Sequence, residues 1–235
     1  MGKNKLARWA ELETFDNVIQ HNDKAGFGKD HPVKGKWKPE VFRNQNPVIL
    51  ELGCGRGEYT TGLALRFPES NFIGVDIKGA RMWRGAKTAR EKGIMNASFL
   101  RTRIEFIDSF FADDEVDEIW LTFPDPQLDK KNSNKRLTCP WFLNKYRMFL
   151  KNNGIIHLKT DNYDLFSYTK NIAERNNLTI ITAVTDLHSG LAGNEILLIR
   201  THYEAMFLKK GLKINYLSFR LDKNRAIEDA WAKEE

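Results

Sequence analysis

From residue 47 onward, short apolar runs alternate with longer amphipathic segments. The runs at 48–52, 71–76, 98–103, 118–123 and 154–160 are rich in Ile, Leu, Val or Phe and have the length of strands. Between them, 58–66, 79–92, 140–150 and 164–176 read as helices, the second closed by Lys92-Gly93 as a C-cap. This alternation predicts an α/β fold, a doubly wound, mostly parallel sheet flanked by helices. After residue 177 the order becomes a strand at 179–185, a loop at 188–195, a helix at 201–210 and a strand at 213–221. Two late strands with little helix between them predict a C-terminal antiparallel strand.

Residues 1–46 show no sustained period, because Gly26, Gly28, Pro32, Gly35 and Pro39 interrupt them. They are expected to form an irregular basic arm with one short helix near 10–19. The core domain then spans 47–221, and 222–235 reads as a solvated tail.

Composition narrows the class. With 41% hydrophobic and 29% charged residues, the 235-residue chain has globular composition and enough length for a sizeable core. No run approaches the roughly 18 apolar residues that cross a bilayer, and the first ten residues lack the apolar core of a signal peptide. A cytoplasmic protein is expected. Cys54 and Cys139 lie far apart without a partner motif, which predicts free thiols, and the histidines have no metal-ligand spacing, so no metal is expected.

The net charge of +6 is concentrated. Between Pro126 and Lys151 stand seven Lys or Arg against one acid, Asp129. A second basic region runs from Lys24 to Lys38 and contains Trp37, a pairing that suggests a clamp on a polyanion such as RNA. Arg81, Arg84, Lys87 and Arg90 form a drifting basic face on the second helix, open to two readings: ordinary solvation or a contact to a nucleic-acid backbone.

The stretch Val48-Ile49-Leu50-Glu51-Leu52-Gly53-Cys54-Gly55-Arg56-Gly57 runs an apolar strand into three alternating glycines before a helix. Glycines there allow a tight turn and close approach of a ligand at the carboxyl end of the first core strand. Their spacing departs from the pattern that seats a pyrophosphate in dinucleotide folds. S-adenosylmethionine, a sulfonium cation with an adenosine and no pyrophosphate, suits Glu51 just before the glycines. The next strand ends in Asp76, placed to accept hydrogen bonds from ribose hydroxyls.

On Glu51, Gly53, Gly55, Gly57 and Asp76 together, the chain resembles the class I S-adenosylmethionine-dependent methyltransferases. That resemblance implies a group near the adenine at the end of the third strand. Arg103 stands where many of these enzymes have an acid, so the contact is expected from the backbone around Arg103 and Ile104 or from Glu105.

The fourth strand continues as Phe123-Pro124-Asp125-Pro126, and the prolines restrain Asp125 at the strand's carboxyl end. The segment through Lys130, Lys131, Lys135, Arg136 and Leu137, with Lys159-Thr160-Asp161-Asn162 and Thr201-His202-Tyr203-Glu204, is similar to the tRNA (guanine-N7)-methyltransferase family. Gln127-Leu128-Asp129 replaces the family's Trp-Pro-Lys, leaving Lys130 as the candidate for one lysine contact. The resemblance implies methyl transfer to N7 of a guanine in the tRNA variable loop. It places Asp125 between cofactor and base, Asp161 and Glu204 opposite the guanine N1 and N2 donors, and Thr201, His202 and Tyr203 in the pocket wall. The basic segment would neutralise RNA phosphates. Two other functions stay open at this stage: a methyltransferase for another RNA or a small molecule, and a non-catalytic RNA-binding subunit. The chain is expected to act as a monomer or homodimer, with tRNA as partner and no membrane.

Overall fold

The computed structural model describes residues 3–20, 29–190, 199 and 202–229. They fall into two compact units, Met1–Val116 and Asp117–Glu235. Among the described residues there are eight strands, all parallel to their neighbours in the first unit, with one antiparallel strand near the C-terminus of the second. This is the α/β fold with a mostly parallel sheet that the alternation predicts.

In the first unit, α1 (Lys3–Leu12) and β1 (Val18–Gln20) precede β2 (Val48–Leu52), α2 (Glu58–Arg66), β3 (Asn71–Asp76), α3 (Gly79–Glu91) and β4 (Ala97–Arg101). The strands lie in the order β1-β4-β3-β2. Every residue of β2 and the first five of β3 are buried, which is why both read as continuous apolar runs rather than alternating ones. Each βα connection therefore ends its strand at the same carboxyl edge, where Gly53 and Asp76 sit.

The arm departs from the sequence expectation. Its helix covers Lys3–Leu12 rather than 10–19, and Val18–Gln20 forms an edge strand parallel to β4. Three residues carry too little periodicity to announce a strand; the open edge of β4 supplies the hydrogen bonds that hold them. Trp37 also overturns its expected role in an RNA clamp. It is 0% exposed, stacks on Phe111 at 5.2 Å, and donates from Nε1 to the Phe110 carbonyl at 2.8 Å. Beside it the Glu115 carboxylate accepts from the backbone N–H groups of Gly35 (2.9 Å), Trp37 (3.0 Å) and Ala112 (2.8 Å). An acid that satisfies three backbone donors, the Trp37 N–H among them buried, makes this part of the arm integral to the core. Residues 21–28, which carry Lys24, lie outside the described residues.

The second unit contains β5 (Val116–Thr122, beginning one residue before the boundary), α4 (Pro140–Tyr146), β6 (Leu150–Thr160), α5 (Tyr163–Arg175), β7 (Ile180–Val184), the short α6 (Leu187–Gly190), α7 (His202–Lys209) and β8 (Asn215–Leu221). Its strands run in the order β5-β6-β8-β7, with β8 antiparallel to both neighbours. Pro140 opens α4, and the Asn162 side chain caps α5 by accepting from Leu165 N–H at 2.8 Å. The helix expected over 140–150 ends at Tyr146, because Leu150 already belongs to β6. The described part of the expected solvated tail is partly packed: Ile227 is 4% exposed, and its N–H and carbonyl both bond the Asn144 side chain at 2.8 Å.

Candidate functional site

In the first unit, the glycine turn follows β2 with Gly53, Gly55 and Gly57 all at positive φ (80°, 55° and 68°). The N–H groups of Gly53 and Cys54 both donate to the Val75 carbonyl, at 2.8 and 3.0 Å, so the turn is fastened to β3. Asp76 fastens it again: one carboxylate oxygen accepts from Gly55 N–H at 2.9 Å and the other from Lys78 N–H at 2.7 Å. A carboxylate has about four acceptor sites, so this one retains capacity for ribose hydroxyls.

The glycines do different work. A side chain at Gly53 would meet nothing within 4 Å, so this glycine borders open space. One at Gly57 would come within 2.5 Å of the Phe99 ring and 3.1 Å of Gly85 Cα, so that glycine is required for α3 to pack against the turn. Glu51 is 3% exposed and accepts from the N–H and hydroxyl of Thr60. Burial, aided by the charges of Glu51 and Asp76, raises the Cys54 thiol well above its ordinary pKa, which keeps it protonated and removes it as a nucleophile.

Open space at Gly53, an acceptor carboxylate at Asp76 and a buried acid behind the turn fit a cationic nucleoside. At the end of β4, Arg103 is exposed and bonds the Glu105 carboxylate at 3.1 Å. Ile104 begins a 3-10 turn that runs to Ser109.

In the second unit, β5 and β6 are neighbours, and the Phe123 N–H donates to the Lys159 carbonyl at 2.7 Å. Asp125 and Asp161 therefore stand just beyond the carboxyl ends of adjacent strands. Asp125 is exposed and its carboxylate accepts from Gln127 N–H at 3.1 Å. The loop that carries it is strained on both sides, since Phe123 (φ 50°) and Gln127 (φ 47°) are non-glycine residues in the left-handed region. Asp161 is half-buried, and that desolvation raises its carboxyl pKa above the ordinary value.

Arg136, expected among the RNA contacts, is turned toward the protein. Its Nε donates to the carbonyls of Pro126 (3.1 Å) and Gln127 (3.3 Å), Nη2 donates to Gln127 at 3.2 Å, and the guanidinium lies 4.4 Å from the Tyr168 ring. It thus pins the Asp125 loop from behind. Lys131 and Lys135 are exposed, with Lys135 bonded to Asn132 at 2.8 Å. The side chain of Lys130 lies outside the described residues.

Glu204 is 0% exposed and both of its oxygens are engaged: one with Lys159 Nζ at 2.8 Å, the other with His188 Nε2 at 3.2 Å. Lys159, also 0% exposed, and His188 are the members that sequence reasoning missed. The available signal was a lysine placed inside the apolar run Ile155-Ile156-His157-Leu158-Lys159, where only a partner makes its burial tolerable. Thr201 and the side chains of His202 and Tyr203 lie outside the described residues. His157 is a core histidine, stacked on Trp120 at 3.9 Å and bonded to Glu118 and Tyr216.

Fold and site together define a class I S-adenosylmethionine-dependent methyltransferase. Residues 45–217 match the family described as putative methyltransferase. Among curated relatives, the tRNA (guanine-N(7)-)-methyltransferase of Bacteroides fragilis is 49% identical over 97% of this chain and 90% of its own length. That of Porphyromonas gingivalis is 51% identical over 89% of this chain and 86% of its own. The chain belongs to the tRNA (guanine-N7)-methyltransferase family. Among solved structures, the 16S rRNA methyltransferase KamB superposes with a TM-score of 0.61 over 80% of this chain and 94% of that one, at 14% identity, which bears on the fold alone.

Proposed function

We propose that this chain methylates N7 of a guanine in the variable loop of tRNA. When bound, S-adenosylmethionine supplies a methyl carbon that is open to attack by the N7 lone pair, while the electron pair of the breaking carbon–sulfur bond stays on sulfur. Guanine N7 carries no proton, so the chain needs no general base. Its residues have to orient the reactants, which is worth several powers of ten in rate.

In the first unit, Asp76 accepts from the ribose hydroxyls, the open side of Gly53 admits the cofactor, and buried Glu51 favours its cationic end. In the second unit, half-buried Asp161 accepts from guanine N1 and N2 and offsets the charge that develops on the ring during alkylation. Asp125 orients the reacting groups at the same strand edge. With both oxygens committed, Glu204 acts as a positioning residue, tying the first turn of α7 to β6 through Lys159. Lys131 and Lys135 neutralise RNA phosphates.

The observation that carries this reading is the placement of two carboxylates, Asp125 and Asp161, at the carboxyl ends of neighbouring strands, with a cationic segment continuing from the same loop. No helix among the described residues is long and apolar enough to cross a membrane. The reading places the enzyme in the cytoplasm with its tRNA substrate.

The test is methyl transfer from labelled S-adenosylmethionine to unmodified tRNA transcripts, with the product nucleoside identified and Asp161→Ala alongside. Formation of 7-methylguanosine that is lost in the variant supports both reaction and pocket. Labelling at another nucleoside, or full activity of the variant, overturns them in turn.

A further inference from the structure

Helix α1 and the start of α3 border an open groove of about 560 Å³ lined by Lys5, Arg8, Trp9, Ile77, Lys78 and Arg81. All four cations are exposed, and none forms an ion pair among the described residues. Further along α3 the basic face is neutralised: Lys87 pairs with Glu11 at 2.8 Å and Arg90 with Asp16 at 3.2 Å. Asp76, two residues before Lys78, accepts from the backbone N–H groups of Gly55 and Lys78 and forms no ion pair with the groove's side chains. The groove therefore carries four cations, none of them bonded to a carboxylate among the described residues.

Trp9 gives the groove a second character. Two cations lie over its ring, with Lys5 Nζ and the Arg101 guanidinium each 5.1 Å from the centroid. Its Nε1 is buried and has no acceptor among the described residues. A buried indole donor without an acceptor is unusual in a folded protein, and an oxygen acceptor from a bound molecule would complete it.

We propose that this groove binds a stretch of the phosphodiester backbone of the RNA substrate, a site separate from the basic segment after Asp125. The proposal rests on the tRNA-methyltransferase reading. Four cations, two on α1 and two at the N-terminal end of α3, exceed what one small anion can engage, whereas a polynucleotide presents a charge at every residue. The open groove lets a polymer pass, and the indole and Ile77 offer apolar surface to sugars or bases. Ile77 and Lys78 directly follow Asp76, so a strand held here runs beside the acid assigned to the cofactor ribose.

The experiment measures binding of fluorescently labelled, unmodified tRNA transcript across a salt series. It compares the full chain with Arg8→Gln/Arg81→Gln, with Trp9→Phe and with the exposed control Arg225→Gln. Each lost phosphate contact lowers the slope of log affinity against log salt by about one, which at about 0.1 M salt is roughly a tenfold loss. The double variant is expected to lose two such steps at unchanged S-adenosylmethionine affinity and melting temperature, Trp9→Phe to weaken binding severalfold, and the control to bind normally. An unchanged tRNA affinity and salt slope in the double variant overturns the site, even where the wild-type chain forms 7-methylguanosine. A loss of tRNA binding in the double variant, with no 7-methylguanosine from wild type, upholds the site and removes the reaction instead. Anionic lipid vesicles form a separate arm: capture by vesicles that the double variant abolishes, with tRNA binding intact, assigns the groove to a membrane surface and overturns the proposal.

Discussion

Replacing Arg136 by Met keeps most of the side-chain stem but removes three hydrogen bonds to the Pro126 and Gln127 carbonyls and the charge above the Tyr168 ring. Hydrogen bonds from a charged donor are worth about 1.5–3 kcal/mol. The carbonyls are only partly buried, so water recovers some of this and the lower end of about 1.5–2 kcal/mol applies. Against that hold stand the left-handed conformations of Phe123 and Gln127, each costing about 1–2 kcal/mol for a residue with a side chain. Without the guanidinium, the loop relaxes away from the conformation that presents Asp125. At about 1.4 kcal/mol per factor of ten, single-turnover methyl transfer with both substrates saturating should fall by roughly tenfold. The KM for S-adenosylmethionine should not change, and the melting temperature should drop by no more than about 3–8 °C, because relaxation of the loop recovers part of the loss. Arg136→Lys should not rescue the rate, since an ammonium lacks the rigid planar fork that meets both carbonyls while lying over the Tyr168 ring. If Arg136 instead touches a phosphate, kcat will hold, KM for tRNA will rise and the salt slope will fall by about one; that pattern refutes the argument.

Gly85→Ala places a methyl 2.7 Å from the Arg56 carbonyl and 2.8 Å from Gly57 Cα, so it should lift the glycine turn, cost about 1–3 kcal/mol of stability and weaken S-adenosylmethionine binding, measurable by melting and calorimetric titration. Lys159→Met leaves the Glu204 carboxylate buried without its lysine; a loss of about 3–5 kcal/mol in denaturant unfolding is expected, and Glu204→Gln added to it should recover part of the loss. Because burial raises the Asp161 carboxyl pKa, and the ionised form is the one that accepts from guanine, kcat/KM for tRNA should fall on acidification at a pH above that of an ordinary aspartate. In Asp161→Asn that acid limb should be absent from the pH profile.

The sequence by itself determined the alternation of strands and helices from 48 to 91, because buried parallel strands demand continuous apolar runs and their bounds are set by the glycine turn and the acid at Asp76. The same stretch brought the cofactor candidates into view, since chemistry at a strand's carboxyl edge is carried by residues adjacent in the chain. Where a residue's role depends on partners distant in the chain, only the tertiary structure decided it. Val18–Gln20 is a strand because β4 has a free edge. Trp37 looked like an aromatic among RNA-binding lysines, yet it is enclosed by Phe110, Phe111 and Glu115, more than seventy positions away. Arg136 belonged to a basic run by composition, but its donors meet carbonyls nine and ten residues back. Glu204 and Lys159, separated by 45 positions, form a fully buried pair. Charge and periodicity are local properties of the chain, whereas burial and the partner that makes a buried charge tolerable are properties of the packed molecule.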